Sequence, residues 1–499
     1  MTTLPTKILQ LARAGNPVRA WGLFGDLGLG DVTDDVRTLT LKGRLLKDLA
    51  WRASGEERAG LFRESYKTYL AAYTLKADSY PLINAASLAL FSGDAERSGE
   101  LAQQVLDVID NDADEGETPF WREATRAEAL LLLGEQAKAK AALDAGRKAL
   151  PEAWEDHART VEQFTAIIDA KGGDTAWLDQ HRPPCSIHFC GLIGLDPGAA
   201  ELREEIDAVI GRLRPGFAFG ALAAGADIMI AEAAVAAGAR LFVTLPNSVE
   251  EFRTTSVEPF GADWPARFDA LIEGAERVDH VAPSACEEEN PFALSVDTAS
   301  LVSMGQAIRN ADILSSHAHA LTIVAPGEIE RMHVRVWRES GRPQHVIETP
   351  RAAAASGSGG KANDSSSDVG LCAIVRFEGV RRDTAERVVD ELGLSRLALG
   401  ADEAFVGEPR KCLAAMDAIA RREGTIKGAL LIDVFSPKQP DPMIVDRTNR
   451  LLQAAADGQI LTDYQSAMIA RVLAGDLRVE EFGELASLSG PISLWSVNP

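Results

Sequence analysis

Between Gly216 and Pro246 the chain reads GFAFGALAAGADIMIAEAAVAAGARLFVTLP, with Gly216, Gly220 and Gly225 forming a turn ahead of an Ala-rich run. Glycine lets the backbone approach another group closely and take positive φ at little steric cost. A turn of this kind opening on a helix N-terminus suits an anion, because free amides and the helix dipole both favour negative charge. Gly220 and Gly225 have the G-x-x-x-x-G spacing of a P-loop, but Ala226-Asp227 stands where that loop needs its Lys-Ser/Thr pair. Any phosphate here would therefore be held by backbone. Asp227 and Glu232 could act as acid or base in an N-glycosidic cleavage, and Asp227 equally suits a helix N-terminus electrostatically. His317 and His319 could ligate a metal, but no third ligand is evident. Tight helix-on-sheet packing accounts for the glycines as well as binding does.

The elements that must position these residues follow from pattern. Ala226 to Ala237 is a strong helix former with an apolar face, and Gly238 stops it. Leu241 to Leu245, ended by Pro246, is a short continuous apolar run, as expected of a strand buried in a parallel sheet. Strands predicted at Ser186–Cys190, Ala320–Val324 and His345–Ile347 alternate with helices at Glu201–Leu213, Phe268–Val278, Asp297–Ala311 and Met332–Ser340. This alternation predicts an α/β Rossmann-like parallel sheet over residues 185–350.

Ahead of it, residues 1–180 read as an all-α helical repeat array. Val36, Leu39, Leu45, Leu46 and Leu49 give one apolar stripe, and Leu61, Tyr66, Tyr69, Leu70 and Tyr73 give the next. Turns at Gly93-Asp94 and Gly134-Glu135 imply hairpins repeating at about 40 residues, the period of tetratricopeptide-like units. Gly25, Gly28 and Gly30 follow no strand, so a dinucleotide fingerprint is excluded by context, and Asp31 and Thr33 read as helix caps. Behind the sheet, RAAAASGSGGKANDSSSD and its surroundings, residues 351–369, read as a flexible linker. Residues 370–499 alternate strand and helix again, predicting an α+β domain.

Composition sets outer limits. A chain of 499 residues suggests about three domains. A net charge of -23 argues against general nucleic-acid binding, which needs a basic surface. The five cysteines form no C-x-x-C pair, so they read as reduced thiols. No run approaches the ~18 apolar residues of a membrane helix, so no membrane partner is expected and a soluble, cytoplasmic protein is.

Three resemblances extend this reading. DVRTLTLKGRLLKDLAW, YKTYLAAYTLKADSYPLINAASLALFSGD and WREATRAEALLLLGE resemble the TRAF-binding region that precedes the kinase domain of stress-activated kinase kinases. That resemblance implies a protein partner, and Lys42, Arg44 and Lys47 in its first block are either a contact or a solvated basic edge. ALAAGADIMIAEAAVAAGARLFVTLP, EFRTTSVEPFGADWPARFDALIEGA and VWRESGRPQHVIE resemble the SLOG superfamily of nucleotide-sensing or nucleotide-processing Rossmannoid domains. It implies a nucleotide-binding role for Gly220, Gly225 and Asp227. Where that family has a Gly/Thr phosphate turn, GEIERMHVRVW places Glu328, Glu330 and Arg331, and the two carboxylates are expected to repel phosphate.

GADEAFVGEP, ALLIDV, VDRTNRLLQAAADGQILTDYQ and ISLWSV resemble the class III nucleotidyl cyclase homology domain, which implies a ferredoxin-like α+β fold. The resemblance implies a homodimer and, if the domain is active, magnesium held by two carboxylates, for which Glu378 and Asp402 are the candidates. Arg450 matches the arginine that stabilises the transferring phosphate, Asp446 stands where an asparagine belongs, and Lys427 matches a base-selecting lysine. A carboxylate for an amide donor beside phosphate turns attraction into repulsion, so the domain is expected to be degenerate. The leading expectation is a signalling scaffold with nucleotide-sensing or vestigial nucleotide-binding domains. Its rivals are an active cyclase using ATP or GTP and a SLOG-type nucleotide hydrolase.

Overall fold

In a computed structural model the described residues are 8, 9, 11, 12, 17–111, 118–281, 292–351, 369–399, 402–423, 426–475, 477–485 and 492–498. They form two compact units, Met1–Pro183 with Ile313–Ser315, and Pro184–Asp312 with Ser316–Pro499. The predicted linker falls outside the described residues, except at its ends.

The first unit is a helical repeat. After Pro17–Asp26, helices pair as Val36–Arg52 with Gly55–Leu75, Ser79–Phe91 with Ala95–Asn111, and Pro119–Leu132 with Gln136–Ala149, followed by Trp154–Ala170. Asp35, not Asp31 or Thr33, caps the Val36 helix, its carboxylate accepting the Thr38 amide at 2.8 Å. Thr118 and Pro119 start the Pro119 helix in the favoured way, a hydroxyl on the Trp121 amide and a proline in the first turn. Gly93 and Gly134 take φ of 92° and 84° at the hairpin turns, where side chains are strained. Phe62, Tyr69, Phe120 and Phe164 fill the core between layers.

The second unit holds two sheets. The first is parallel, in the order β4-β3-β2-β1-β5-β6. Its strands are β1 (Ser186–Cys190), β2 (Phe217–Gly220), β3 (Arg240–Leu245), β4 (Arg277–His280), β5 (Ala318–Val324) and β6 (Gln344–Glu348). Helices connect them, including Ala200–Leu213, Ala226–Ala236, Trp264–Gly274, Phe292–Ile313 and Met332–Glu339. The order reverses at β1, where β2 lies on one side and β5 on the other. In open parallel sheets the crevice beyond the strand C-termini at such a reversal is where ligands sit.

The second sheet is mixed, in the order β12-β13-β11-β10-β7-β9-β8. Its strands are β7 (Gly370–Glu378), β8 (Ser395–Leu399), β9 (Asp402–Gly407), β10 (Lys427–Phe435), β11 (Ile460–Asp463), β12 (Arg478–Leu485) and β13 (Ile492–Asn498). With helices Arg382–Leu392 and Pro409–Glu423, the first four strands make a β-α-β-β-α-β run. The helices Pro442–Ala454 and Tyr464–Leu473 complete the set.

One hydrophobic core serves both sheets: Leu301, Met304, Ile308 and Trp337 bury with Met416, Ile432, Met468 and Ile469. Where helices Phe292–Ile313 and Tyr464–Leu473 meet, a Cβ on Gly305 would lie 2.2 Å from the Met468 carbonyl oxygen. Beside it, the Gln306 amide donates to Tyr464 Oη at 2.7 Å and Asp279 Oδ2 at 3.1 Å, and accepts from Thr244 Oγ1 at 2.9 Å.

The predicted glycine turn is corrected in one respect. Phe217–Gly220 is a strand, so Gly216 and Gly220 pack rather than turn: a Cβ on them would meet the Pro184 ring at 2.3 Å and the Phe189 ring at 2.5 Å. Gly225 alone of the three takes positive φ, 128°, with the Leu192 oxygen 2.5 Å from the Cβ it lacks.

Candidate functional site

A cavity of about 250 Å³ opens beyond the C-terminal ends of β1 and β5, at the point of strand-order reversal. Cys190, the last residue of β1, lines it and is partly exposed. Register places Cys190 opposite Thr322 of β5, with Sγ 3.8 Å from Thr322 Oγ1. His188, two residues back, shares the Cys190 side of the sheet because strand side chains alternate. Its Nδ1 lies 3.3 Å from Ser303 Oγ, and its ring stacks on Trp337 with centroids 5.8 Å apart. The buried His188 Nε2 has no hydrogen-bond partner.

His333 comes from the start of helix Met332–Glu339 and is 2% exposed. Asp297, on helix Phe292–Ile313, holds its Nδ1 at 2.8 Å. With Nδ1 occupied, Nε2 is the nitrogen left for another group. Burial alone would push the Cys190 thiol up, yet the neighbouring His188 and His333 rings hold it well below the usual thiol range. Burial would push His333 down, but its bonds to Asp297 and Cys190 carry it up to about 9. The arrangement is a thiol and an imidazole on one cavity wall, the imidazole oriented by a carboxylate.

Asp227 reaches the same place from the N-terminus of helix Ala226–Ala236. Its Oδ2 accepts the Ala223 amide at 3.2 Å, and its buried Oδ1 has no partner. Burial, then the charge on Cys190, push its carboxyl up to about 8, so at neutral pH it is an acid that keeps its proton. Glu232, one turn further along, goes elsewhere. Arg267 grips it at 2.7 and 2.6 Å and Arg203 at 3.1 Å. Burial would raise it, but the two guanidiniums hold it below the usual range, so its charge is committed to these pairs.

The cavity rim answers the charge expected around GEIERMHVRVW. Glu328 pairs with Arg351, and Glu330 accepts two hydrogen bonds from Arg338 at 2.9 Å each. These carboxylates are therefore neutralised rather than repelling. Arg331 and the start of helix Met332–Glu339, which has no side-chain cap, face the cavity too. Of the other predicted pair, His319 stacks on His345, its Nδ1 lying 3.4 Å from His345 Nε2, while His317 meets His319 edge-on, and no metal-binding cluster occurs among the described residues.

Four of the positions drawn from the mixed sheet pair with one another. Lys427 of β10 lies opposite Glu378 of β7, and its Nζ donates to Glu378 Oε2 at 2.6 Å. Arg450 Nε donates to Asp446 Oδ2 at 2.7 Å, one helical turn away. Asp402 begins β9, and its side chain lies outside the described residues. A deeper polar cluster sits on the same sheet: Arg447 reaches Asp463 and, at 3.6 Å, the buried Asp433.

The helical unit has a large concave cavity of its own, about 1100 Å³, lined by Arg44, Lys47, Trp51, Tyr80, Glu128 and Arg159 among others. Arg44 and Lys47 thus face a cavity, whereas Lys42 is spent on the Gly30 carbonyl at 3.0 Å. Burial pushes Lys47 down and Glu128 up.

Sequence reasoning missed Cys190, His188, His333 and Asp297. The available signal was a cysteine closing the first strand of a parallel sheet, just before a glycine.

Comparison with known proteins adds little beyond the N-terminal helices. No curated protein matches the chain. Among solved structures, an adenylate/guanylate cyclase/hydrolase from Silicibacter pomeroyi is 15% identical, covering 26% of this chain and 98% of that one, at a TM-score of 0.23. An adenylyl cyclase from P. aeruginosa is 12% identical over 26% of this chain and 94% of that one, at 0.19. A mutant O-GlcNAc transferase from Thermobaculum terrenum is 11% identical over 60% of this chain and 52% of that one, also at 0.19. The family described as Tetratricopeptide Repeats-Sensor matches residues 5–89, so the chain begins with tetratricopeptide-like repeats.

Proposed function

We propose that this protein is a signalling scaffold whose repeats bind a protein partner and whose parallel-sheet cavity receives a small anionic ligand, a nucleotide being the class the sequence resemblance favours. The observation that carries the reading is the cavity at the β1/β5 reversal, lined by Cys190, Thr322, Arg331 and His333, with the unpaired buried atoms His188 Nε2 and Asp227 Oδ1 on residues that neighbour Cys190. A buried group left unpaired costs roughly 1–3 kcal/mol, a cost that a ligand removes on binding. The name of the family matching residues 5–89 supports a sensing role, and the 1100 Å³ concave cavity supports partner binding by the repeats.

The mixed sheet, on this reading, is a degenerate cyclase homology domain that assembles the protein as a homodimer. Lys427–Glu378 and Arg450–Asp446 support that: the cations that would meet a nucleotide's base and its transferring phosphate each already hold a carboxylate. Magnesium belongs to the account only if Glu378 and Asp402 prove to hold it. The test is a thermal-shift screen with purine nucleotides and NAD-type dinucleotides, in which one class is expected to stabilise the protein. An Mg²⁺-dependent cyclic nucleotide product lost in Asp402→Ala would instead establish the cyclase reading. Release of free base lost in Asp227→Asn would establish the hydrolase reading.

A further inference from the structure

The Cys190 cluster goes beyond ligand sensing. Cys190 of β1 and His333 of helix Met332–Glu339 line one cavity, and Asp297 of helix Phe292–Ile313 holds His333 Nδ1 at 2.8 Å, the relation of nucleophile, acid–base group and orienting carboxylate. A structural buried cysteine has apolar neighbours and is inert, as at Cys412, which burial pushes up to about 12. Cys190 is different in kind. It faces His188 on its own strand, His333 on one helix, Asp227 on another and Thr322 on β5, with Arg331 acting on Asp227. It is also open to a cavity, and the unpartnered His188 Nε2 and Asp227 Oδ1 are both on residues more than nine-tenths buried.

We propose that Cys190 is the nucleophile of an acyl-transfer site for a small ester or thioester, with His333 as its proton donor and acceptor and Asp297 as the residue that orients His333. The cavity's volume limits the acyl group to a small one, and Val324, Ala325, Val334 and Val346 give it apolar walls. Amides at the start of helix Met332–Glu339 are on hand for negative charge developing on the acyl oxygen. The Cys190 thiolate attacks the acyl carbon, the new C–S bond forms, and the bond to the leaving oxygen or sulfur breaks. The leaving group takes the proton from His333 Nε2. Neutral His333 then takes a proton from water as that water attacks the thioester. The C–S bond breaks, releasing a carboxylic acid and restoring thiolate and imidazolium. The sum is ester plus water giving acid plus alcohol, or thiol.

The proposal rests on the cavity being open to ligands but not on the ligand's being a nucleotide. Full-length protein is mixed with p-nitrophenyl acetate, with p-nitrophenolate followed in time and the acetylated residue mapped by mass spectrometry. A burst matching the protein concentration is expected, with acetyl on Cys190, and both vanish in Cys190→Ser. Asp297→Asn is expected to slow acylation about 10²-fold or more and to move the alkaline limb of its pH profile downward, because an imidazolium without its carboxylate gives up its proton at lower pH. Iodoacetamide at pH 6 is expected to label Cys190 ahead of Cys185 and Cys372, which burial pushes up to about 11. Acetylation elsewhere, Cys190 labelling that rises with pH like an ordinary thiol, or an unchanged rate and profile in Asp297→Asn would each overturn the assignment. Nucleotide stabilisation that survives in Cys190→Ser, with no acetyl-Cys190 in wild type, would sink this proposal and leave the sensing reading standing.

Discussion

Gly305→Ala tests whether the parallel and mixed sheets share a single core. The added Cβ would sit 2.2 Å from the Met468 oxygen, 2.6 Å from its carbonyl carbon and 2.8 Å from its Cα, all backbone atoms that cannot rotate away. Normal contact needs about 1 Å more, so the two helices must part. Overpacking of this kind costs about 1–3 kcal/mol. Parting also strains the Gln306–Tyr464 hydrogen bond, worth about 1 kcal/mol. Against this, alanine in place of glycine inside a helix gains about 1 kcal/mol. The clash wins, for a net loss of about 1–3 kcal/mol and a fall in Tm of roughly 3 to 8 °C by calorimetry. The matched control is Gly211→Ala in helix Ala200–Leu213, exposed with nothing within 4 Å of the new Cβ, where only the propensity gain applies and Tm should rise. If Gly305→Ala is as stable as Gly211→Ala, the helices do not meet here and the shared core is refuted.

Other outcomes follow from single side chains. Asp227 keeps its proton to about pH 8 when folded but loses it near 4 when unfolded, so the folded state binds more protons between those limits and its stability falls as pH rises. Wild type should therefore lose stability relative to Asp227→Asn from pH 4 to 8, by on the order of a few kcal/mol in denaturant titrations; parallel curves would show an ordinary carboxyl. Glu232→Gln should cost about 1–2 kcal/mol by weakening the bonds to Arg203 and Arg267, yet leave Cys190 alkylation unchanged, since its site is elsewhere. Gly225→Ala should be worse, about 2–4 kcal/mol, because positive φ and the Leu192 oxygen both oppose a side chain, and urea midpoints would record it. Lys427→Ala and Arg450→Ala should leave nucleotide-induced thermal shifts as in wild type; abolishing them would move the ligand to the mixed sheet.

The legible parts of the fold were those with long, consistent patterns. Ala226–Ala236 is apolar nearly all round and Leu241–Leu245 continuously so, which only a buried helix and a buried parallel strand satisfy. The hairpin turns at Gly93 and Gly134 carried the helical array in the same way. Phe217–Gly220 was illegible as a strand because four residues ending in glycine read as a turn; only register against β1 and β3 makes them one. At the site, Asp227 was visible through its place at a helix start. His333 was hidden inside GEIERMHVRVW, where the carboxylates drew attention, and their arginine partners are set by folding. Cys190, Asp297 and His333 have no local spacing in common. Three separate elements converge on them, so no motif could announce the cluster.

The central claim is that the cavity beyond β1 and β5 is the protein's ligand site. Thermal shift with the nucleotide panel, run in parallel on wild type, Thr322→Val and Arg331→Ala, addresses it most directly. The account expects at least one nucleotide to raise Tm in wild type and both substitutions, which alter the cavity lining, to reduce that rise. A rise that neither substitution touches, or none with any nucleotide, would contradict it.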